Sequence, residues 1–125
     1  MDLKNTNHPV SRACCQTPVP LTEAVRESVG ELAPICKALG DSTRLLMAAV
    51  LVGAGRPLCV CELETYFDLS QPTISHHLAV LRKAKVVCTE RRGTWVYYAI
   101  DPGAVQGVRN LAGLVLGDCC RDPKG

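Results

Sequence analysis

The chain has 125 residues, 47% of them apolar, and a formal net charge of +2. That suits one domain able to bury a core, and it excludes a protein that holds nucleic acid by bulk charge, so any DNA affinity must come from local placement of cations. No apolar run reaches the ~20 residues of a membrane span, and the opening stretch MDLKNTNHPV lacks an apolar signal core, so a cytoplasmic protein with no membrane partner is expected.

Residues 1–20 are polar, carry Pro9, Pro18 and Pro20, and show no periodicity, as expected of a flexible N-terminal arm. Residues 21–118 are expected to form the folded unit and residues 119–125 a C-terminal tail. Thr22 predicts an N-cap, with Leu21, Val25, Val29 and Leu32 forming the apolar stripe of a first helix. Pro34 predicts a break there, opening a short second piece from Pro34 to Leu39. Asp41 should cap a further helix from Ser42 to about Val52, with Leu45, Leu46, Ala49 and Val52 among its apolar positions. Gly53, Gly55 and Pro57 mark the next break.

Leu58 to Phe67 reads as a short helix with Leu63, Tyr66 and Phe67 facing inward, and Asp68-Leu69 connects it tightly to SQPTISHHLAVLRK. In that stretch Ser70 is a good N-cap and Pro72 falls in the first turn, where a missing N–H costs nothing. Ile74, Leu78 and Leu81 make one apolar stripe, while Thr73, Ser75, His76 and Lys83 form a donor-rich face suited to the acceptors along base edges in the major groove. His77 lies beside the stripe and reads as a packing residue. Two helices joined by a short turn, the second with a polar outward face, predict a helix-turn-helix.

After Lys83 the period alternates. Val86 to Arg91 and Thr94 to Ile100 read as strands joined at Arg92-Gly93, a hairpin with Arg91 and Arg92 placed to touch phosphate or the minor groove. Asp101 and Pro102 open a last helix with Val105, Val108, Ala112 and Val115 on one face. The expected fold is mainly α with a β-hairpin wing, a winged helix-turn-helix. Its N- and C-terminal helices are left with apolar stripes that suit a homodimer on a palindromic operator in double-stranded DNA.

Four segments, KALGDSTRLL (Lys37 to Leu46), LCVCEL (Leu58 to Leu63), LSQPTISHHLAVLR (Leu69 to Arg82) and GTWVYYAI (Gly93 to Ile100), resemble in this order the ArsR/SmtB-type metal-responsive repressors. The resemblance implies a transcriptional repressor that is not an enzyme, binds DNA when metal-free, and releases it when a toxic metal or metalloid binds. It maps the DNA-reading positions onto Ser70, Gln71, Thr73, Ser75 and His76, and the sensing motif of the arsenic and cadmium/lead branches onto Cys59 and Cys61. Glu64 stands where those branches often carry a third cysteine. The family's zinc site on the last helix lacks support, since no histidine follows His77.

The eight cysteines are Cys14-Cys15, Cys36, Cys59, Cys61, Cys88 and Cys119-Cys120, and in a reducing compartment they point to metal binding or redox chemistry. As(III) and Sb(III), the expected inducers, are soft and favour three thiolates; Cd(II) and Pb(II), the alternative, take three or four. On a regular helix positions i and i+2 point about 200° apart, so Cys59 and Cys61 converge only if Cys59 precedes the first turn or that turn distorts. A helix N-terminus should also lower their thiol pKa values. The third ligand is expected from Cys14 and Cys15, with Cys119 and Cys120 as the competing source, while Cys36 and Cys88 read as packing residues. A cytosolic thiol oxidoreductase is the alternative from another class; against it, the chain has no C-x-x-C and no phosphate-binding glycine loop. A DNA binder without a ligand is a third.

Overall fold

A computed structural model describes residues 21–116, with side chains to residue 113. Helix α1, Glu23–Leu39, begins where the Thr22 hydroxyl accepts the Val25 N–H at 3.3 Å. It runs through Pro34 without a break, contrary to the expected separate piece. Pro34 removes one backbone hydrogen bond, but Leu32 and Ala38 are buried on either side of it, and Leu32 lies against Gly107 of the last helix. Tertiary packing on both flanks outweighs the local cost.

Asp41 caps α2, Ser42–Ala54, by accepting the Arg44 N–H at 3.1 Å, and this bond holds the Asp41 carboxyl below its ordinary pKa. Arg44 Nε donates to the Ala38 carbonyl at 2.6 Å and so ties α2 to the end of α1. The helix continues past Gly53 and ends at Gly55, whose φ of +66° is the left-handed conformation of a helix stop. Its inward face is Met47 and Leu51; Leu45, Leu46 and Val52, expected in the stripe, are exposed. The apolar run has surplus residues all round, so periodicity alone does not select the buried side.

The segment expected to be one helix from Leu58 to Phe67 splits. Leu58–Cys59 is a strand, β1, and α3 spans only Val60–Glu64, with Tyr66 exposed. The following helix, α4, spans Gln71–Lys83 and buries Ile74, Leu78 and Leu81 completely. It ends with the Lys85 N–H bonded to the Arg82 carbonyl and the Val86 N–H to the Leu81 carbonyl, both at 2.9 Å, with Lys85 left-handed at φ +62°.

Strands β2, Val87–Arg92, and β3, Trp95–Ile100, pair antiparallel with Arg92 opposite Trp95. The turn is therefore Gly93-Thr94, one residue later than expected, and Gly93 alone of the two has positive φ, as a two-residue turn with glycine first requires. β1 adds to the other edge of β3, giving the order β1-β3-β2. Helix α5, Pro102–Leu116, starts with the Gly103 N–H on Asp101 Oδ1 at 2.8 Å. It packs on α1 at Gly107, where an added Cβ would stand 2.9 Å from Leu32. The core joins α2, α4 and the sheet through Met47, Leu51, Leu58, Leu78, Leu81 and Val87. Among the described residues no helix is long and apolar enough to cross a membrane.

Candidate functional site

The polar face of α4 is presented as a unit. Ser70 accepts the Thr73 N–H at 3.4 Å, and its hydroxyl meets the Thr73 hydroxyl at 2.8 Å, which fixes the first turn. Ser70, Gln71, Thr73, Ser75 and His76 are all exposed, on the side opposite the buried stripe. His77 is half-buried, and its Nδ1 is enclosed without a hydrogen-bond partner. A surface of hydroxyls, an amide and an imidazole, with no large side chain in the way, can hydrogen-bond base edges.

The wing stands beside it. Residues opposite one another in an antiparallel pair share a face, so Arg92, Trp95, Glu90, Tyr97 and Cys59 lie on one face of the sheet. Arg91, Val96, Leu58 and Tyr98 lie on the other, which covers the core. The two arginines expected together at the tip thus point to opposite faces. Arg92 stacks over the Tyr97 ring at 4.7 Å and pairs with Glu90 at 3.1 Å, and the Glu90 bond raises its pKa further.

The thiol pair sits where β1 meets α3. Cys59 has extended backbone (φ −85°, ψ 167°) and is the N-cap, outside the first turn, so the conflict of i and i+2 on a helix does not arise. Its sulfur faces that of Cys61, and the two thiols are hydrogen-bond partners. Glu62 holds this conformation: its carboxylate accepts the Cys59 N–H at 3.0 Å and pairs with Arg56, also at 3.0 Å. Arg56 first, then the Cys59 N–H, keeps the Glu62 carboxyl below its ordinary pKa. The expected lowering at a helix N-terminus is not what Cys61 experiences. Its hydrogen bond with Cys59 first, then burial and the negative charges nearby, pushes the Cys61 thiol up.

Cys36 and Cys88, expected to be packing residues, are exposed. Cys88 lies on the outer face of β2, where alternation turns every second side chain away from the core. Among the described residues no group of three or more metal-ligating side chains converges. Cys14, Cys15, Cys119 and Cys120 lie outside the described residues. Two soft thiols on a fixed turn can supply part of a thiophilic site, and completing it takes at least one further ligand.

Residues 41–88, from the α2 cap to the start of the wing, match the bacterial regulatory protein, arsR family. The chain is 34% identical over 90 residues to the arsenical resistance operon repressor of Bacillus subtilis (strain 168), a match covering 67% of this chain and 85% of that protein. The chain belongs to the arsR family of bacterial regulatory proteins. It is also 46% identical over 74 residues to the arsenic resistance transcriptional regulator ArsR1 of Pseudomonas putida, over 59% of this chain and only 57% of that protein. The transcriptional repressor BigR of Xylella fastidiosa has a similar structure, with a TM-score of 0.58 and 31% identity over 74% of this chain and 94% of that one.

In this arsR-family protein the fold is a winged helix-turn-helix, made of α3, α4 and the β2–β3 wing, and it makes the chain a DNA-binding transcription regulator. Glu62, Arg56 and Tyr97 were not singled out in the sequence. Glu62 carries a readable signal, a glutamate three residues after the N-cap, which a helix starting at Leu58 hides. Tyr97 carried none, because its place depends on a strand pairing that only the tertiary fold creates.

Proposed function

We propose that this protein is a metalloid-responsive repressor that binds a palindromic operator as a homodimer and releases it when As(III) or Sb(III) binds cysteine thiolates. The observation that carries the reading is the convergence of the Cys59 and Cys61 sulfurs on one another at the start of α3, the helix preceding the one that presents Ser75 and His76. Soft thiolates select thiophilic ions over harder ones. Cys14 and Cys15 are the proposed source of the remaining ligand, with Cys119 and Cys120 as the competing pair. Ser70, Gln71, Thr73, Ser75 and His76 read base edges, while Arg91 and Arg92 meet the backbone.

The dimer reading rests on exposed apolar surface. Val105 and Val108 of α5, with Leu45 and Val52 of α2, border an apolar groove of about 350 Å³, and Leu21 and Val29 are exposed at the start of the chain's described part. A contiguous apolar patch of this kind is characteristic of an interface. Operator binding followed by fluorescence anisotropy during As(III) addition, with thiolate-to-ion charge-transfer absorption recorded in parallel, tests the function. Release that tracks the absorption at equimolar As(III) supports it. Release by Cd(II) or Pb(II) but not As(III) moves the protein to the alternative inducer, and no release by any of them overturns it.

A further inference from the structure

We infer that Tyr97 is a positioning residue that links the thiol pair to the DNA-contacting face of the wing. The inference rests on the inducer-release reading above and deepens it. Tyr97 is flanked on one side by Cys59 of β1 and on the other by Glu90 of β2, and all lie on one face of the sheet. Directly opposed residues of this kind have Cβ atoms about 4.5–5.5 Å apart. The Tyr97 ring carries the Arg92 guanidinium at 4.7 Å, and Glu90 holds the same guanidinium at 3.1 Å. A single side chain thus stands between the sensing cysteine and the wing-tip cation.

Taking an ion reshapes the pair. The two thiols are hydrogen-bonded to one another, whereas two thiolates sharing one ion give up that bond and point at the ion instead. Cys61 is exposed at the start of α3, whereas Cys59 is buried and paired to β3, so it is through Cys59 that ion binding reaches the sheet. Cys59 belongs to a strand with just two register pairs, Leu58 with Tyr98 and itself with Tyr97. Leu58 is anchored in the core, which leaves the Cys59–Tyr97 pair as the part of the ladder able to give. A shift of the Tyr97 ring withdraws the surface on which Arg92 stacks. The remaining Glu90 partner then pulls the guanidinium toward the carboxylate and away from phosphate.

The chain has a single tryptophan, Trp95, on the same face at the tip of the wing, where it is exposed. Its fluorescence reports the wing without DNA. The experiment compares wild type, Tyr97→Phe and Tyr97→Leu in three measurements with As(III): charge-transfer absorption, Trp95 emission, and the ratio of operator Kd with and without As(III). Tyr97→Phe keeps the ring and is expected to match wild type throughout. Tyr97→Leu is expected to bind As(III) with unchanged stoichiometry while losing the Trp95 response, and its Kd ratio should fall toward 1 from the on the order of 5–150-fold of a typical coupling. A full Trp95 response and full Kd ratio in Tyr97→Leu overturn the inference. If Tyr97→Leu does not fold, Glu90→Gln decides. It removes the competing partner of Arg92, so release should weaken, and undiminished release overturns the inference. Absence of As(III) absorption in wild type instead defeats the functional reading beneath it.

Discussion

Helix α4 and the thiol turn are neighbours in sequence, yet they are held in place by different kinds of interaction. Ser70 caps α4, Pro72 sits in its first turn and three apolar residues recur at helical spacing, so every instruction lies within the helix itself. The thiol turn has a strand of two residues, a helix of five, and a geometry imposed by Glu62 and by pairing with Tyr97 some forty positions away. A reading surface gains from rigidity, because its donors must meet base edges in fixed positions. A sensing surface gains from a short ladder that yields to a ligand, because elements that move are drawn from the less stable part of a fold.

The largest effect expected from breaking this contrast is at the shared foundation. Leu78 is fully buried between α4 and the rest of the core, so Leu78→Ala should destabilise the protein by about 2–5 kcal/mol, measured by urea unfolding. Both regions should fail together. A loss of less than about 0.5 kcal/mol would contradict the packing described.

One level down, the regions should separate. Ser75→Ala or His76→Ala should weaken specific operator binding by about 1–3 kcal/mol while leaving As(III) absorption unchanged. Equal loss on operator and random DNA would show that these residues do not read bases.

Lys85 tests how far α4 is locally specified. It is the one described residue other than glycine with positive φ, and it occupies the helix stop normally given to glycine. Lys85→Gly should therefore stabilise the fold by about 1 kcal/mol in thermal or urea unfolding. A destabilisation would mean that the lysine side chain contributes more than its backbone costs.

The smallest effect concerns pH. The Cys61 thiol is pushed up, chiefly by its hydrogen bond with Cys59; a divalent ion such as Cd(II) must displace its proton into solution, whereas As(OH)3 carries thiol protons away as water. A raised thiol stays protonated to higher pH, so apparent Cd(II) affinity should still be rising between about pH 7 and about pH 9, while As(III) affinity should not rise. Operator affinity without inducer should change far less over that range. A flat Cd(II) affinity would indicate that the Cys61 thiol is already ionised at neutral pH.

The same contrast explains what could be read in the sequence. The caps at Thr22, Asp41 and Ser70, the stripe of Ile74, Leu78 and Leu81, and the alternation of the wing are local signals, and the structure repeats them. The errors lie where distant contacts decide. Pro34 stays helical because Leu32 and Ala38 are pinned from outside the helix, and Leu58–Cys59 is a strand because β3 offers it an edge. Cys88 is exposed because the register of the hairpin turns it outward. Within the candidate site the two cysteines are legible as a pair, but the route to their convergence is legible only as an alternative, since Glu62 acts through the N–H of a residue whose conformation is set by pairing with β3.

The most direct measurement is inducer-dependent operator release in Cys59→Ser. Serine keeps the size of the side chain, while its hydroxyl is a poor ligand for a soft ion. Cys59→Ser is predicted to bind operator as wild type does and to stay bound when As(III) is added, whereas Cys119→Ser/Cys120→Ser should release normally. Full release by Cys59→Ser, with loss of release in Cys119→Ser/Cys120→Ser, would contradict the account and move sensing away from the turn between β1 and α3.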